Sequence, residues 1–186
     1  MSELSRRGML AVAGAGSVSL LAAGARAAPA DAALQNGTPP APRPEWVYDA
    51  TVELEPEVAH GTTIRGDRYR VAIIGGTFAG PGFKGGVVPG GYDWQLVRKD
   101  GFWELSADYF METDDGVQIH VLNRGLWFSP TGGWPATYSV TTPQLEAPDG
   151  PYDWLNRYIF TGTVGPAGTE ENPAVKISIF RLLNPA

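Results

Sequence analysis

The sequence predicts an all-β protein, most simply a single antiparallel β-barrel of eight or nine strands. Short apolar segments alternate with polar residues at a period of two, and glycine-rich turns separate them at short intervals. No stretch after residue 45 has the 3.6-residue periodicity of a long amphipathic helix. A barrel is favoured because closure removes exposed sheet edges. A two-sheet β-sandwich is the alternative arrangement of the same strands.

The N-terminus predicts a twin-arginine signal peptide over residues 1–27. Ser5-Arg6-Arg7-Gly8-Met9-Leu10 carries the arginine pair, a mildly apolar Gly/Ala stretch follows, and Ala25-Arg26-Ala27 suits a signal peptidase. We therefore expect the mature protein in the periplasm or outside the cell. Residues 28–44 are rich in Ala and Pro and predict a flexible mature N-terminus. The barrel domain is expected over residues 45–186.

Composition restricts the chemistry that this chain can perform. It has no cysteine and only two histidines, His60 and His120, so thiol catalysis, zinc–thiolate sites and histidine-rich metal sites are not expected. The formal net charge is −6, and it becomes more negative without the signal peptide. Nucleic acid and anionic membrane surfaces are therefore not expected as partners of the mature domain. The many aromatic residues are compatible with a homo-oligomer.

The strands can be followed in order along the chain. Trp46, Tyr48, Ala50, Val52 and Leu54 alternate as in a half-buried strand. Residues 75–101 are dense in glycine, which favours closely spaced strands, bulges and tight turns. The remaining strand-like segments are 68–74, 94–99, 102–109, 107–113, 117–121, 137–145, 158–164 and 175–182.

Two Asp-Gly pairs mark hairpins. Asp100-Gly101 and Asp115-Gly116 each separate two strand-like segments, and Asp-Gly favours the positive φ angles of a two-residue hairpin. Residues 152–157 fit either a helical turn or the start of a strand, and the sequence does not decide between them.

The strongest candidate for chemistry is Asp93. In Pro89-Gly90-Gly91-Tyr92-Asp93-Trp94 a double-glycine turn leads into a strand, where Asp93 and Trp94 point to opposite faces. Asp93 can then face a barrel cavity as a general acid or base, or it can simply bind turn amides. The glycines of residues 75–82 do not indicate a nucleotide site, because no helix follows them.

The remaining candidate site residues are spread over the second half of the chain. Asp114 is the freer member of an acidic pair, since its neighbour is explained by the turn. Arg124 and Arg157 are candidates to stabilise negative charge on a substrate. The candidate ligand-binding residues are Trp94, His120, Tyr138, Trp154, Asn156 and Tyr158. Ordinary packing is the alternative for the aromatic residues, and a surface position is the alternative for His120.

Five ordered blocks resemble the domain-of-unknown-function 3237 family of small bacterial and fungal proteins. The blocks are Gly75–Phe78 with Gly80, Pro89–Trp94, Arg98–Gly101, Thr113–Gly116 and Tyr152–Arg157. The resemblance covers roughly residues 47–183 and implies a single small β-barrel. It brings no established reaction, and it favours Asp93, Asp114, Asn156 and Arg157 as residues of any shared site.

Two functions are consistent with these observations. In the first, the barrel encloses a pocket for a small apolar or aromatic molecule and catalyses a cofactor-free acid–base step, as an isomerase, cyclase or lyase/hydratase does. In the second, the same pocket only binds and carries the molecule, as in lipocalin-type barrels. A carboxylate and a guanidinium that converge inside the cavity would favour the enzyme.

Overall fold

A computed structural model describes residues 39–185 of the chain, so the predicted signal peptide lies outside the described residues. In this part of the chain there are nine β-strands and one short 3₁₀ helix, Asp153–Arg157, which we call the plug helix. The strands are β1 (Arg43–Leu54), β2 (Val58–Thr63), β3 (Gly66–Gly80), β4 (Phe83–Arg98), β5 (Trp103–Thr113), β6 (Gln118–Phe128), β7 (Tyr138–Glu146), β8 (Phe160–Gly168) and β9 (Pro173–Leu183).

Eight of the strands form a closed antiparallel barrel. Neighbours along the sheet follow the order β1-β9-β8-β7-β6-β5-β4-β3, and β1 pairs with β3 to close it. The closing pair has Ala50 opposite Phe78 and Thr51 opposite Thr77. The predicted all-β barrel is therefore confirmed, and the sandwich alternative is wrong. Closure gives both edges of the eight-stranded sheet a hydrogen-bonding partner.

Strand β2 is the ninth strand and lies outside the closed barrel. It pairs only with the first part of β3, and all six of its residues are exposed. Its sequence, Val-Ala-His-Gly-Thr-Thr, lacks apolar alternation, so sequence patterning does not predict it. At the N-terminal edge, Arg43 and Pro44 pair with Leu183 and Leu182 of β9. These two residues, which we assigned to a flexible segment, are therefore ordered in β1.

Both Asp-Gly pairs do lie in hairpin turns, but the expected two-residue geometry is wrong. Gly101 N donates to Arg98 O, and Arg98 N donates to Phe102 O, which makes a three-residue loop. The turn after β5 has the same pattern. Only the glycines have positive φ, 86° at Gly101 and 82° at Gly116. A type I turn followed by a left-handed glycine explains this, because it demands only one positive φ angle.

The barrel interior is solid at one end. Its core joins apolar side chains from β1, β3, β4, β5, β6, β7, β8 and β9 with Leu155 of the plug helix. Aromatic rings fill the space between the helix and the barrel wall: Phe83 lies 5.9 Å from Tyr152 and 6.0 Å from Trp154, measured between ring centroids. The undecided segment 152–157 is thus a helical turn that closes this end of the barrel.

Among residues 39–185, no helix has the length and apolar character needed to cross a membrane.

Candidate functional site

The opposite half of the barrel interior contains a cavity of about 410 Å³. Its wall is mostly apolar and is formed by inward-facing residues of β1, β3, β4, β5, β6, β7, β8 and β9. Four of the lining side chains are aromatic: Trp103, Tyr109, Trp127 and Trp134. A cavity of this size with an apolar, aromatic wall suits one small organic molecule.

Asp93 is the only carboxyl group that the described barrel wall places deep in this cavity. The strand alternation of β4 directs Asp93 inward and leaves Trp94 46% exposed on the outside. Gln95 Nε2 donates to Asp93 Oδ2 at 2.7 Å, and the backbone N of Ser106 donates to Oδ1 at 3.0 Å. Burial raises the pKa of Asp93, and these two hydrogen bonds offset only part of that rise. The site therefore favours a carboxyl group that can hold a proton at higher pH than an exposed aspartate.

Tyr109 of β5 lies at the floor of the cavity, where the cavity meets the solid core. Burial raises the pKa of its hydroxyl, and the nearby charge of Asp93 raises it further. The phenol consequently stays protonated and offers an O–H group beside the carboxyl group.

Three other polar atoms of the cavity wall are buried and have no hydrogen-bond partner among the described residues. They are Asn123 Oδ1, Trp127 Nε1 and Thr141 Oγ1. Buried polar atoms are nearly always paired, because an unpaired one costs about 1–3 kcal/mol. Here all three belong to side chains that face one cavity. The arrangement can offer hydrogen bonds to a bound molecule that the protein itself does not use.

The mouth of the cavity lies at the end opposite the plug helix. Exposed residues of the β1–β2 connection, Glu55, Pro56 and Glu57, form one side of it. The β6–β7 loop forms another side and carries Trp134, whose ring packs edge-on against Trp127 at 5.6 Å. Within residues 39–185, acidic and histidine side chains do not form a group of three that could bind a metal ion.

The structure does not bring Arg124 and Arg157 into the cavity, and our expectation that they would converge with Asp93 is not met. Arg124 neighbours the inward-facing Asn123 on β6, so the alternation of the strand turns it outward, where it is exposed. Arg157 lies on the plug helix and pairs with Asp153 at 2.5 Å. The described residues that line the cavity include no lysine, arginine or histidine.

Two more residues named by the resemblance lie at the plugged end of the barrel. Asp114 is exposed in the β5–β6 turn, 3.2 Å from Lys84 Nζ. Asn156 of the plug helix accepts from Ala147 N and donates to Ala147 O, both at 2.8 Å. These contacts give Asn156 a structural role, because they attach the helix to the chain that leaves β7.

The predicted ligand-binding aromatic residues also lie outside the cavity. Trp154 and Tyr158 pack together near the plug helix, at 6.4 Å between ring centroids, and the Arg181 guanidinium lies over both rings. Tyr138 is half-exposed beside Phe102.

His120 is on the outer face of the barrel, as the alternation of β6 indicates. Its Nε2 lies 2.7 Å from Asp108 Oδ1, and its ring packs on Phe110 at 5.0 Å. Like Trp94, it is separated from the cavity by the barrel wall.

Sequence patterns missed Gln95, Asn123, Trp127, Thr141 and Trp134. A signal was present at Asn123, which continues the inward phase of Ile119 and Val121 and is therefore a polar residue at a core position. The loop position of Trp134 carries no such signal, because it depends on the path of the β6–β7 connection.

Comparisons with known proteins agree with this fold. The profile of a family described as "Protein of unknown function (DUF3237)" matches residues 42–182. A UPF0311 protein from Rhodopseudomonas palustris is 33% identical over 130 residues, which cover 64% of this chain and 85% of that protein.

Solved structures are similar over most of the described chain. The crystal structure of a conserved protein of unknown function from R. palustris aligns with a TM-score of 0.71 and 31% identity, covering 78% of this chain and 100% of that one. A β-barrel-like protein from Acinetobacter baumannii aligns with a TM-score of 0.68 and 30% identity, covering 80% and 99%. A protein described as an enzyme from Penicillium herquei has a TM-score of 0.62 and 22% identity, covering 79% and 98%, and shows a likeness of fold alone.

Proposed function

This chain belongs to the DUF3237 family, and we propose that its barrel binds one small apolar or aromatic molecule and catalyses a cofactor-independent acid–base step on it. The observation that carries this proposal is the buried carboxyl group of Asp93 in an apolar cavity. Burial raises its pKa toward the range in which a carboxyl group can both donate and accept a proton. Perturbed acids in clefts are typical of catalytic sites.

Asp93 would exchange a proton with the reacting carbon or oxygen of the substrate. The hydrogen bonds from Gln95 and Ser106 hold its two oxygens in place, so the carboxyl group is oriented before the substrate binds. Isomerisation, cyclisation, elimination and hydration each require removal of one proton and delivery of another. A single well-placed carboxyl group can perform both steps in turn.

Negative charge that develops on a substrate oxygen needs a hydrogen-bond donor. No guanidinium in the described residues lines the cavity, so this role passes to neutral groups. The indole N–H of Trp127 is buried without a partner among the described residues and faces the same space as Asp93. Neutral donors held in place by the fold stabilise an enolate or phenolate effectively, because they need little reorganisation.

A carrier is the second candidate function, and a specific observation favours it. The expected carboxylate–guanidinium pair is missing from the described cavity wall, and aromatic rings with a few polar anchors are enough to hold a ligand. The fold itself is also compatible with the catalytic proposal, because the Penicillium protein is described as an enzyme.

We also propose that the mature domain acts in the periplasm or outside the cell. The support is the arginine pair and small-residue cleavage pattern of residues 1–27. A ligand would then reach the cavity from outside the cytoplasm.

The deciding experiment combines binding with product analysis. We would screen small aromatic and terpenoid-like compounds against the mature domain by thermal shift, and incubate each hit with the wild type and with Asp93→Asn. The enzyme proposal expects the wild type to convert a hit and Asp93→Asn to bind it unchanged. A hit that binds both proteins and is recovered unaltered from both would support the carrier instead.

A further inference from the structure

The charges around the cavity are of one sign. Asp93 lies inside, Glu55 and Glu57 lie at the mouth, and no cationic side chain among the described residues lines the wall. An anionic ligand would approach two carboxylates and then lose its hydration without gaining a counter-charge. Carboxylates, phosphates and sulfates are therefore poor ligands for this cavity.

The cavity is also a poor site for a cationic ligand. The one carboxyl group deep in the cavity already accepts hydrogen bonds on both oxygens, from Gln95 and from Ser106. The two glutamates at the mouth are exposed, so water screens them from a molecule held inside. An ammonium group has donors only, so it would lose its hydration without offering an acceptor to the unpartnered Trp127 Nε1.

The unpartnered polar atoms describe what the ligand must carry. Trp127 Nε1 can only donate a hydrogen bond, Asn123 Oδ1 can only accept one, and Thr141 Oγ1 can do either. All three are uncharged and lie in a wall that is otherwise mainly apolar. A ligand satisfies them by bringing an acceptor for Trp127 and a donor for Asn123, and hydroxyl groups supply both without carrying a charge.

From these unpartnered atoms we infer the ligand class: an uncharged aromatic molecule with a hydroxyl group whose oxygen accepts a hydrogen bond from Trp127 Nε1. The inference rests on the proposed function only in that the cavity is the ligand site. It does not require that any reaction takes place there.

The test is a set of four naphthalene probes that differ mainly in one substituent. They are 2-naphthol, naphthalene, 2-naphthoate and 2-naphthylmethylammonium, and their dissociation constants are measured at pH 7 with the mature domain. We expect 2-naphthol to bind about tenfold or more tightly than each of the other three, as one net hydrogen bond would give. Equal or tighter binding of the anion or the cation, or no binding of 2-naphthol, would overturn the inference.

Variants locate the preference in the cavity. Trp127→Phe retains an aromatic ring but lacks the N–H, so the advantage of 2-naphthol over naphthalene should fall about tenfold. Trp103→Phe is the matched control, since Trp103 lines the same cavity and its indole nitrogen is not a buried unpartnered atom. An unchanged preference in Trp127→Phe, or an equal loss in both variants, would contradict the assigned contact.

The same samples separate this inference from the catalytic proposal. Binding preference is read from dissociation constants, and conversion is read from product analysis of the screening hits. A clear preference for 2-naphthol together with unaltered hits would leave the ligand class standing and reject the enzyme.

Discussion

Replacing Asn123 by leucine should stabilise this protein, although Asn123 lies in its interior. The side chain is 4% exposed, and its Oδ1 has no hydrogen-bond partner among the described residues. Leucine has a similar shape, and its apolar surface suits the surrounding wall. The substitution therefore removes a desolvation penalty without removing a hydrogen bond at that oxygen.

The size of the effect follows from that penalty. A buried unpaired polar group costs about 1–3 kcal/mol, and we expect the free energy of unfolding to rise by about that amount. For a domain of this size, each kcal/mol corresponds to roughly 3–4 °C, so the midpoint of thermal unfolding should rise by about 3–12 °C. Thermal and guanidinium unfolding followed by far-UV circular dichroism measure both quantities.

Asn156→Leu is the matched control with the opposite sign. The Asn156 amide makes two hydrogen bonds of 2.8 Å to Ala147, so its loss should destabilise the protein by about 1–3 kcal/mol. Destabilisation by Asn123→Leu of more than about 1 kcal/mol would refute the reasoning. It would mean that the Asn123 amide stabilises the fold and is not available to hydrogen-bond to a ligand.

Four further predictions can be tested on the same domain. Asp93→Asn should stabilise the domain at neutral pH but not below about pH 3.8. The pKa of Asp93 is raised in the folded state, so the wild type loses stability as the pH rises from 3.8 through the folded-state pKa, by about 1.4 kcal/mol for each pH unit between the unfolded and folded pKa values. Equal pH–stability curves for the wild type and the variant would contradict this. Tyr48→Phe should be neutral or stabilising by about 1 kcal/mol in urea unfolding, because the buried hydroxyl has no partner among the described residues; a loss above that amount would reveal one. Gly91→Ala should destabilise the domain by about 3 kcal/mol or more, because a Cβ at residue 91 would lie 2.4 Å from a side-chain carbon of the neighbouring strand. A Cβ at Gly165 meets no atom within 4 Å, so Gly165→Ala should unfold almost like the wild type. Similar unfolding midpoints for the two variants would refute the crowding argument. Replacing the Arg6-Arg7 pair by lysines in the full-length chain should abolish export in a cell fractionation assay, and export through the general secretory route would contradict the predicted signal.

Strand alternation explains what the sequence could predict. Asp93 and Trp94 point to opposite sides of β4 because the side-chain period of a strand is two, and this holds wherever the strand lies in the fold. The same rule separates Asn123 from Arg124. We named the arginine for its charge, although the inward phase of Ile119 and Val121 indicated its neighbour.

Long-range geometry explains what could not be predicted. A strand shows which residues point inward, but not which half of the barrel is filled and which half is hollow. That difference depends on the plug helix, whose Leu155 and Trp154 enter one end from a distant part of the chain. The candidate residues 154 and 156–158 therefore lie at the closed end and do not line the cavity.

If the cavity binds a molecule as we propose, the plug helix also limits how that molecule enters and leaves. Because one end of the barrel is filled, a molecule that enters past Trp134 must leave by the same opening. A second molecule can bind only after the first has left. If the barrel catalyses the reaction that we propose, product and substrate would compete for the same cavity, and product inhibition should be competitive. Chemistry on a single molecule, with water as the only co-reactant, suits such a dead-end chamber better than the meeting of two large reactants.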